Sequence, residues 1–352
     1  MPRLADQLTS LAPALAFLLA GVPLAALLDR LGFFDAVAEV VAGRDGRDTP
    51  VLALWALAAL TTIVLNLDTT VVLLTPLYLR LARRADADPL PLALIPLLLA
   101  SFASSVLPVS NLTTLIVVDR LDLGVGEVVG HLALPSISAI VVGWWAYRHR
   151  YPTRLAIRPA APPDRRALGL GCTVVAALLV AFVVGPTFGL EPWMAAVLAD
   201  LVLMAITGLV PWRDVPVTTA IAVAAVAAAC ALVVPDDVLG SALATPRPIG
   251  VGALALGAAT AANVVNNLPA LLIALNGAHR ATWGLWAWLL GVNTAAVLLP
   301  IGALANLLWL RVLRRAGLSF GVRRYVATTA PIAVPALAAS IGVLLIERLI
   351  VG

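Results

Sequence analysis

An all-α integral membrane protein, built as an inverted repeat with two re-entrant hairpins and two broken transmembrane helices, is the fold this sequence predicts. Three observations predict it. Of 352 residues, 62% are hydrophobic and only 12% charged, with a mean hydropathy of +1.02, against roughly 45–50% apolar and about 25% charged in a soluble domain. Several apolar runs are interrupted midway by Asn, Asp, Ser, Thr or Pro. The interruptions recur in the same order in both halves. This balance excludes a soluble enzyme, a disordered chain and a nucleic-acid binder. A β-barrel is excluded by the lack of short alternating strands. At about 20 residues per span, the chain has room for roughly ten membrane elements.

The first apolar run, 11–28, is long enough to cross a bilayer. A short element near 33–42 follows, then the polar stretch GRDGRDTP. Residues 51–67 stop at NLDTT and resume as VVLLTPLYL, the pattern of a hairpin. Residues 90–118 are broken by Pro108, Ser110, Asn111, Thr113 and Thr114, and a clean helix covers about 127–147. The segment 148–166, with six arginines and four prolines, reads as an irregular linker. Clean runs then cover about 167–190, 193–211 and 215–234. Residues 249–265 stop at NVVNNLP and resume as ALLIAL. Residues 282–310 are broken by Asn293, Thr294, Pro300 and Gly302, and a last span covers about 325–346. The expected units are a first repeat at 1–147 with a shortened scaffold helix, a cytoplasmic linker at 148–166, and a second repeat at 167–352.

The two broken runs align at a constant offset of 192: Leu107, Pro108, Leu112, Leu115 and Leu121 recur as Leu299, Pro300, Leu304, Leu307 and Leu313. Arginine placement sets orientation, because cytoplasmic loops collect positive charge. The loops at 148–166 and 311–324, with six and five arginines, lie inside together with Arg80, Arg83 and Arg84. The acidic loop 119–127 and the arginine-free 235–246 lie outside. The first hairpin then enters from the cytoplasm and the second from outside, so the halves are inverted. Inverted repeats whose interrupted helices meet near the midplane are a transporter plan.

Unwound backbone survives at membrane depth only where it lines protein or a wet cavity. Four such segments are expected, at 66–70, 108–114, 263–269 and 292–302. Their candidate ligands are Asp68, Thr69, Thr70, Ser110, Asn111, Thr114, Asn266, Asn267, Asn293, Thr294 and Asn306, with Asn66, Thr113 and Asn263 beside them. The competing reading of any one of these is glue between helices. Asp68 stands apart, since a charged group at the bilayer centre costs roughly 2.5–3.5 kcal/mol on insertion scales and so faces a cavity. It suits a carboxyl that cycles between protonated and ionised forms. Asp200 sits on an unbroken run and reads as a structural group or a dimer contact. His131 and His279 read as interfacial. Cys172 and Cys230 form neither a disulfide framework nor a metal motif. No HExxH, Walker A or signal-peptide pattern occurs, so no cofactor or metal is expected and energy comes from an ion gradient or a separate ATPase.

The segments LNLDTTVVLLTP, LPVSNLTTLIV, VVNNLPALLIAL and LLGVNTAAVLLPIGALANLLWLRVL, with LLDRLGFFDAVAEV near the start and the later LSFGVRRY, resemble the ArsB-type arsenite/antimonite efflux permeases of the ion transporter superfamily. The resemblance runs from about residue 24 to about 345. It implies the ion-transporter-superfamily fold, a mobile transport domain of hairpins and broken helices beside a dimerising scaffold, and export of arsenite or antimonite in exchange for protons. It also implies a plasma-membrane location, a homodimer, and for some members a soluble ATPase partner. Asp68 falls on the family's hairpin acid, Ser110 and Asn111 on its Ser-Asn pair, and Asn266, Asn267 and Pro269 on its Asn-Asn-x-Pro tip. Three positions depart: the family's acid is Asn293 here, its basic residue a few positions on is Val297, and an asparagine is Thr114. About two N-terminal scaffold helices of the family pattern are also missing, an expectation of either true loss or a misplaced start codon. The substrate expected is a small inorganic oxyanion or its neutral hydroxide, coupled to protons or sodium. A sodium/proton antiporter is the alternative, with a dicarboxylate carrier or a channel behind it.

Overall fold

A computed structural model describes residues 2–42, 49–156, 162–233, 235, 238–244, 247–276 and 278–351, without the side chains of 2–10, 41, 42, 49, 230 and 231. The polar stretch 43–48, the centre of the linker at 157–161 and the Cys230 side chain lie outside the described residues. The first half runs α1 (Pro2–Arg30), α2 (Phe33–Ala42), α3 (Val51–Val64), α4 (Leu67–Arg84), α5 (Pro89–Phe102), α6 (Leu112–Leu121) and α7 (Val125–Arg148). The second runs α8 (Arg165–Val184), α9 (Pro192–Thr207), α10 (Val217–Val233), α11 (Gly240–Leu243), α12 (Pro248–Val265), α13 (Asn267–Leu275), α14 (Trp283–Thr294), α15 (Leu304–Arg315) and α16 (Val322–Val351). A two-residue strand pair, Thr49–Pro50 against Arg154–Leu155, ties the foot of α3 to the end of α7.

α3 and α4 form the first hairpin, closed by a Thr62–Thr70 hydroxyl bond of 3.0 Å. α12 and α13 form the second. α5/α6 and α14/α15 are the broken helices, and the interruption follows the predicted offset in its backbone angles. Leu107 (φ −122°, ψ 152°) matches Leu299 (φ −121°, ψ 152°), and Asn111 (φ −147°, ψ 133°) matches Ala303 (φ −147°, ψ 157°). The hairpin tips, Asn66 and Asn266, are instead 200 residues apart.

The unwound stretches differ from the expected ones. Helix stops at 103–111 and 295–303, but only around Asn66 and Asn266 in the hairpins. Asp68, Thr69 and Thr70 therefore lie in the first turn of α4, Thr114 in that of α6, Asn267 at the start of α13 and Asn306 in the first turn of α15. Asn293 and Thr294 end α14. The reason is capping: the side chains of Asn66, Asn111 and Asn266 each accept a backbone N–H from the next turn, so helix restarts at once.

Packing across the halves places the two broken helices side by side. α7 lies along α16, α12 along α14, α4 along α5 and α15, and α1 along α9 and α10. The Trp309 Nε1–H donates to the Ala93 carbonyl at 2.7 Å, and the Tyr147 hydroxyl to that of Pro91 at 2.9 Å. Each gives the polar atom of a large buried ring a backbone carbonyl of α5 as its partner. On the arginine-rich face, Arg30 pairs with Asp214, Arg80 with Asp35 and Arg84 with Glu39. The last two rungs join the foot of α4 to α2, but the exposed rung is worth only about 0–1 kcal/mol.

Small residues set the approach of α14 to α12. A Cβ on Gly291 would lie 2.2 Å from the Ala255 carbonyl oxygen and 2.8 Å from the Ala258 Cβ. Gly291→Ala is therefore expected to destabilise the protein by about 1–3 kcal/mol through overpacking. Gly342→Ala, whose added Cβ meets nothing within 4 Å, is expected to be neutral or slightly stabilising. Thermal unfolding of the two variants in detergent, compared side by side, measures the difference.

Candidate functional site

Both hairpin tips and both breaks converge on one small cavity of about 70 Å³, lined by Asp68, Asn111, Thr113, Asn266, Asn267 and Thr219 among leucines and a valine. The first residue of each of four half-helices lines it: Leu67 of α4, Leu112 of α6, Asn267 of α13 and Leu304 of α15. Each N-terminus carries roughly half a positive charge from aligned peptide dipoles. No Arg, Lys or His is among the residues lining the cavity. Its positive potential thus comes from backbone and faces a single carboxyl, Asp68. The Asp68 Oδ1 is buried and makes no hydrogen bond among the described residues.

A second cavity, of about 280 Å³, begins at Asp68 and Thr69 and runs between α1, α4 and α15 to Asp214 and Pro216 on the arginine-rich face. Asp68 lies where the two meet. Asn66 (φ 153°) and Asn266 (φ 82°) hold backbone conformations usual only for glycine, at about 1–3 kcal/mol each. Both are hairpin tips, and the strain is held by capping bonds and, at Asn266, by its Nδ2 bond to the Ile301 carbonyl at 2.9 Å.

The other candidates work behind the cavity wall. Ser110 donates to the Ile63 carbonyl at 2.8 Å and locks the first break onto the first hairpin. Thr70 is spent within that hairpin. Asn293 holds the halves together: its Oδ1 accepts from the Thr113 hydroxyl (2.6 Å) and its Nδ2 donates to Ser105 (2.9 Å) and Thr114 (3.1 Å). Two of the three departures from the family pattern, Asn293 and Thr114, are thus hydrogen-bonded to each other as a neutral pair. Val297, the third, is fully buried. Asn306 donates to the carbonyls of Ala296 and Leu299, and Thr294 is buried with its hydroxyl unbonded among the described residues.

The breaks are equal in backbone and unequal in side chains. Ser104, Ser105, Ser110, Asn111 and Thr113 have Ala296, Val297, Gly302, Ala303 and Ala305 at the 192-residue offset. The second break is instead filled from within. Asn263 donates to the carbonyls of Ala259 and Ala295 and accepts the Leu299 N–H at 2.7 Å, and a Cβ on Gly302 would lie 2.9 Å from its Oδ1. Of the two broken helices, only the first offers polar side chains, Asn111 and Thr113, to the cavity; the second offers Leu304.

Thr219 of α10 and Ser104 and Ser105 of the first break escape sequence reading. A threonine pair opening an otherwise apolar helix was the one available signal for Thr219. Asp200 is not part of this site. It is buried on α9 beside a separate apolar cavity of about 370 Å³ against α1. His131 stacks on Trp286 with ring centroids 4.8 Å apart, while His279 and Cys172 are exposed.

Opposed hairpins and paired broken helices around a membrane-embedded cavity define a secondary transporter, a multi-pass membrane carrier. The crystal structure of the Alcanivorax borkumensis YdaH transporter, described as having an unusual topology, shares this fold: its TM-score is 0.63 at 15% identity, over 97% of this chain and 86% of that one. The family model CitMHS, citrate transporter, matches residues 9–296. The chain belongs to that family. The expectation of a secondary transporter of this fold holds, while its arsenite-efflux branch is a finer assignment than the match makes.

Replacing Asn263 with Leu strands the Leu299 N–H and the Ala295 carbonyl, each a buried group worth about 1–3 kcal/mol when unpaired. Asn263→Leu is expected to lower the unfolding temperature in detergent more than Asn276→Leu at the end of α13. Equal shifts would show that the second break needs no internal filling.

Proposed function

We propose that this carrier exports a small, neutral, hydroxyl-rich solute, arsenite or antimonite as the trihydroxide, in exchange for protons carried on Asp68. The observation that carries the reading is the inner cavity: small, free of cationic side chains, ringed by four helix N-termini and holding one unbonded carboxyl. About 70 Å³ holds on the order of five water-sized groups. A central atom with three hydroxyls fits, whereas a tricarboxylate with its carbon skeleton does not. A hydroxide solute can donate to the ionised Asp68 carboxylate while accepting from backbone N–H groups and the Asn267 amide. α15 has no side-chain cap, since Ala303 stands where the first break has Asn111, and a bound hydroxyl would supply one.

The exchange follows from Asp68. Ionised, it holds the solute; protonated, it loses the charge that attracts hydroxyl donors, so solute outward and proton inward alternate on one carboxyl. The family's description as citrate transporters favours a second reading, a citrate-type carrier in which the larger 280 Å³ cavity takes part. A third, sodium/proton exchange, would make Asp68 and the neighbouring amides cation ligands.

Everted membrane vesicles holding the protein separate these. The expected result is saturable arsenite uptake that depends on an imposed pH gradient, with citrate neither carried nor inhibitory. Citrate uptake in place of arsenite would move the chain to the second reading. Sodium collapsing the pH gradient without arsenite would move it to the third. Asp68→Asn is expected to reduce pH-driven uptake to the level of vesicles lacking the protein, with membrane insertion unchanged. Normal exchange in that variant would remove Asp68 from the coupling.

A further inference from the structure

The two cavities share four lining residues and no others: Leu18 of α1, Asp68 of α4, Thr219 of α10 and Leu304 of α15. Residues common to two adjoining spaces are the wall between them, so these four side chains ring the passage from the wider space of about 280 Å³ to the inner one of about 70 Å³. Two members are bulky and apolar and come from different helices, Leu18 from the long first helix and Leu304 from the first turn of the second broken helix. Leu18 is buried, whereas Leu304 is 36% exposed. The two polar members, Asp68 and Thr219, offer a carboxyl and a hydroxyl to a solute passing between the leucines.

We propose that Leu18 and Leu304, with Thr219 and Asp68, form a size-selecting neck that admits solutes of a few heavy atoms to the helix N-termini and holds larger anions in the outer space. The substrate class rests on the proposed hydroxide reading; the neck itself rests on cavity geometry alone. It makes Leu18, Leu304 and Thr219 specificity-determining residues. Asp68 is then both the coupling group and the far edge of the filter. A solute reaches the carboxyl from the wide side, and only one small enough to pass exchanges it for four converging N-termini.

Thiol labelling tests the neck without any transported substrate. In a background carrying Cys172→Ser and Cys230→Ser, Val72→Cys places a thiol in the outer cavity only, and Leu268→Cys places one in the inner cavity only. From the arginine-rich side, a small methanethiosulfonate is expected to label both, and a bulky biotin-maleimide only the Val72→Cys thiol. Adding Leu304→Ala is expected to raise bulky labelling of the Leu268→Cys protein about tenfold, equivalent to ~1.4 kcal/mol of relieved hindrance, with Val72→Cys unaffected. Leu18→Ala, on α1, repeats the test should Leu304→Ala misfold. Bulky labelling at both positions with the neck intact would overturn the proposal. So would failure of the small reagent at Leu268→Cys, or neither alanine variant opening it. In vesicles, citrate is expected to inhibit arsenite uptake only after Leu304→Ala or Leu18→Ala. If the wild type carries no arsenite, the hydroxide reading falls while the labelling still decides the neck.

Discussion

Every feature of the site depends on one constraint: a peptide group at membrane depth must find a hydrogen-bond partner inside the protein. Each interruption of a helix releases several N–H and C=O groups, and this chain satisfies them with asparagine. Asn66, Asn111 and Asn266 cap restarting helices, while Asn263 and Asn306 bridge the carbonyls of the second break. An amide suits the task because it donates and accepts at once without carrying charge. The four helix N-termini can then meet in a cavity instead of being stitched together by ionised side chains.

The same constraint accounts for which parts of the fold were legible. Interruptions in apolar runs, read at a fixed offset, located the hairpins and broken helices, because helix breaks need polar residues and lipid tolerates few others. The inverted arrangement followed from arginine-rich loops. What did not follow was the length of each break. Polar residues after a tip looked unwound, whereas a capping asparagine restarts helix within one residue and draws Asp68 and Thr70 into a first turn. The hairpin tips also depart from the 192-residue offset, since a hairpin can lengthen at its arms without disturbing the broken helices that it covers.

The site was legible in its acid and tips, and less so in the roles of its neighbours. Asp68, Asn111, Asn266 and Asn267 do line the inner cavity, while Ser110, Thr114, Asn293 and Asn306 hold the wall behind it. Side-chain type could not sort these groups, because Ser, Thr and Asn serve equally as ligands and as glue between helices. Only three-dimensional pairing does so. Thr219 shows the converse limit: it opens α10, an uninterrupted apolar helix with no broken pattern to draw the eye.

The inequality of the two breaks gives the halves different tasks. Both keep the same backbone bend, so both bring a helix N-terminus to the cavity. The first break keeps the side chains that can meet a solute, and the second has glycine, alanine and valine in their places, filling itself with Asn263. Neutral pairing of Asn293 with Thr114 extends this economy to the seam between the halves. Removing formal charge everywhere except Asp68 leaves one group whose protonation changes the net charge of the site. A single carboxyl against fixed backbone dipoles has two states that differ in how strongly they attract a hydroxyl donor, and under the proposed function alternation between those states is what exchange uses.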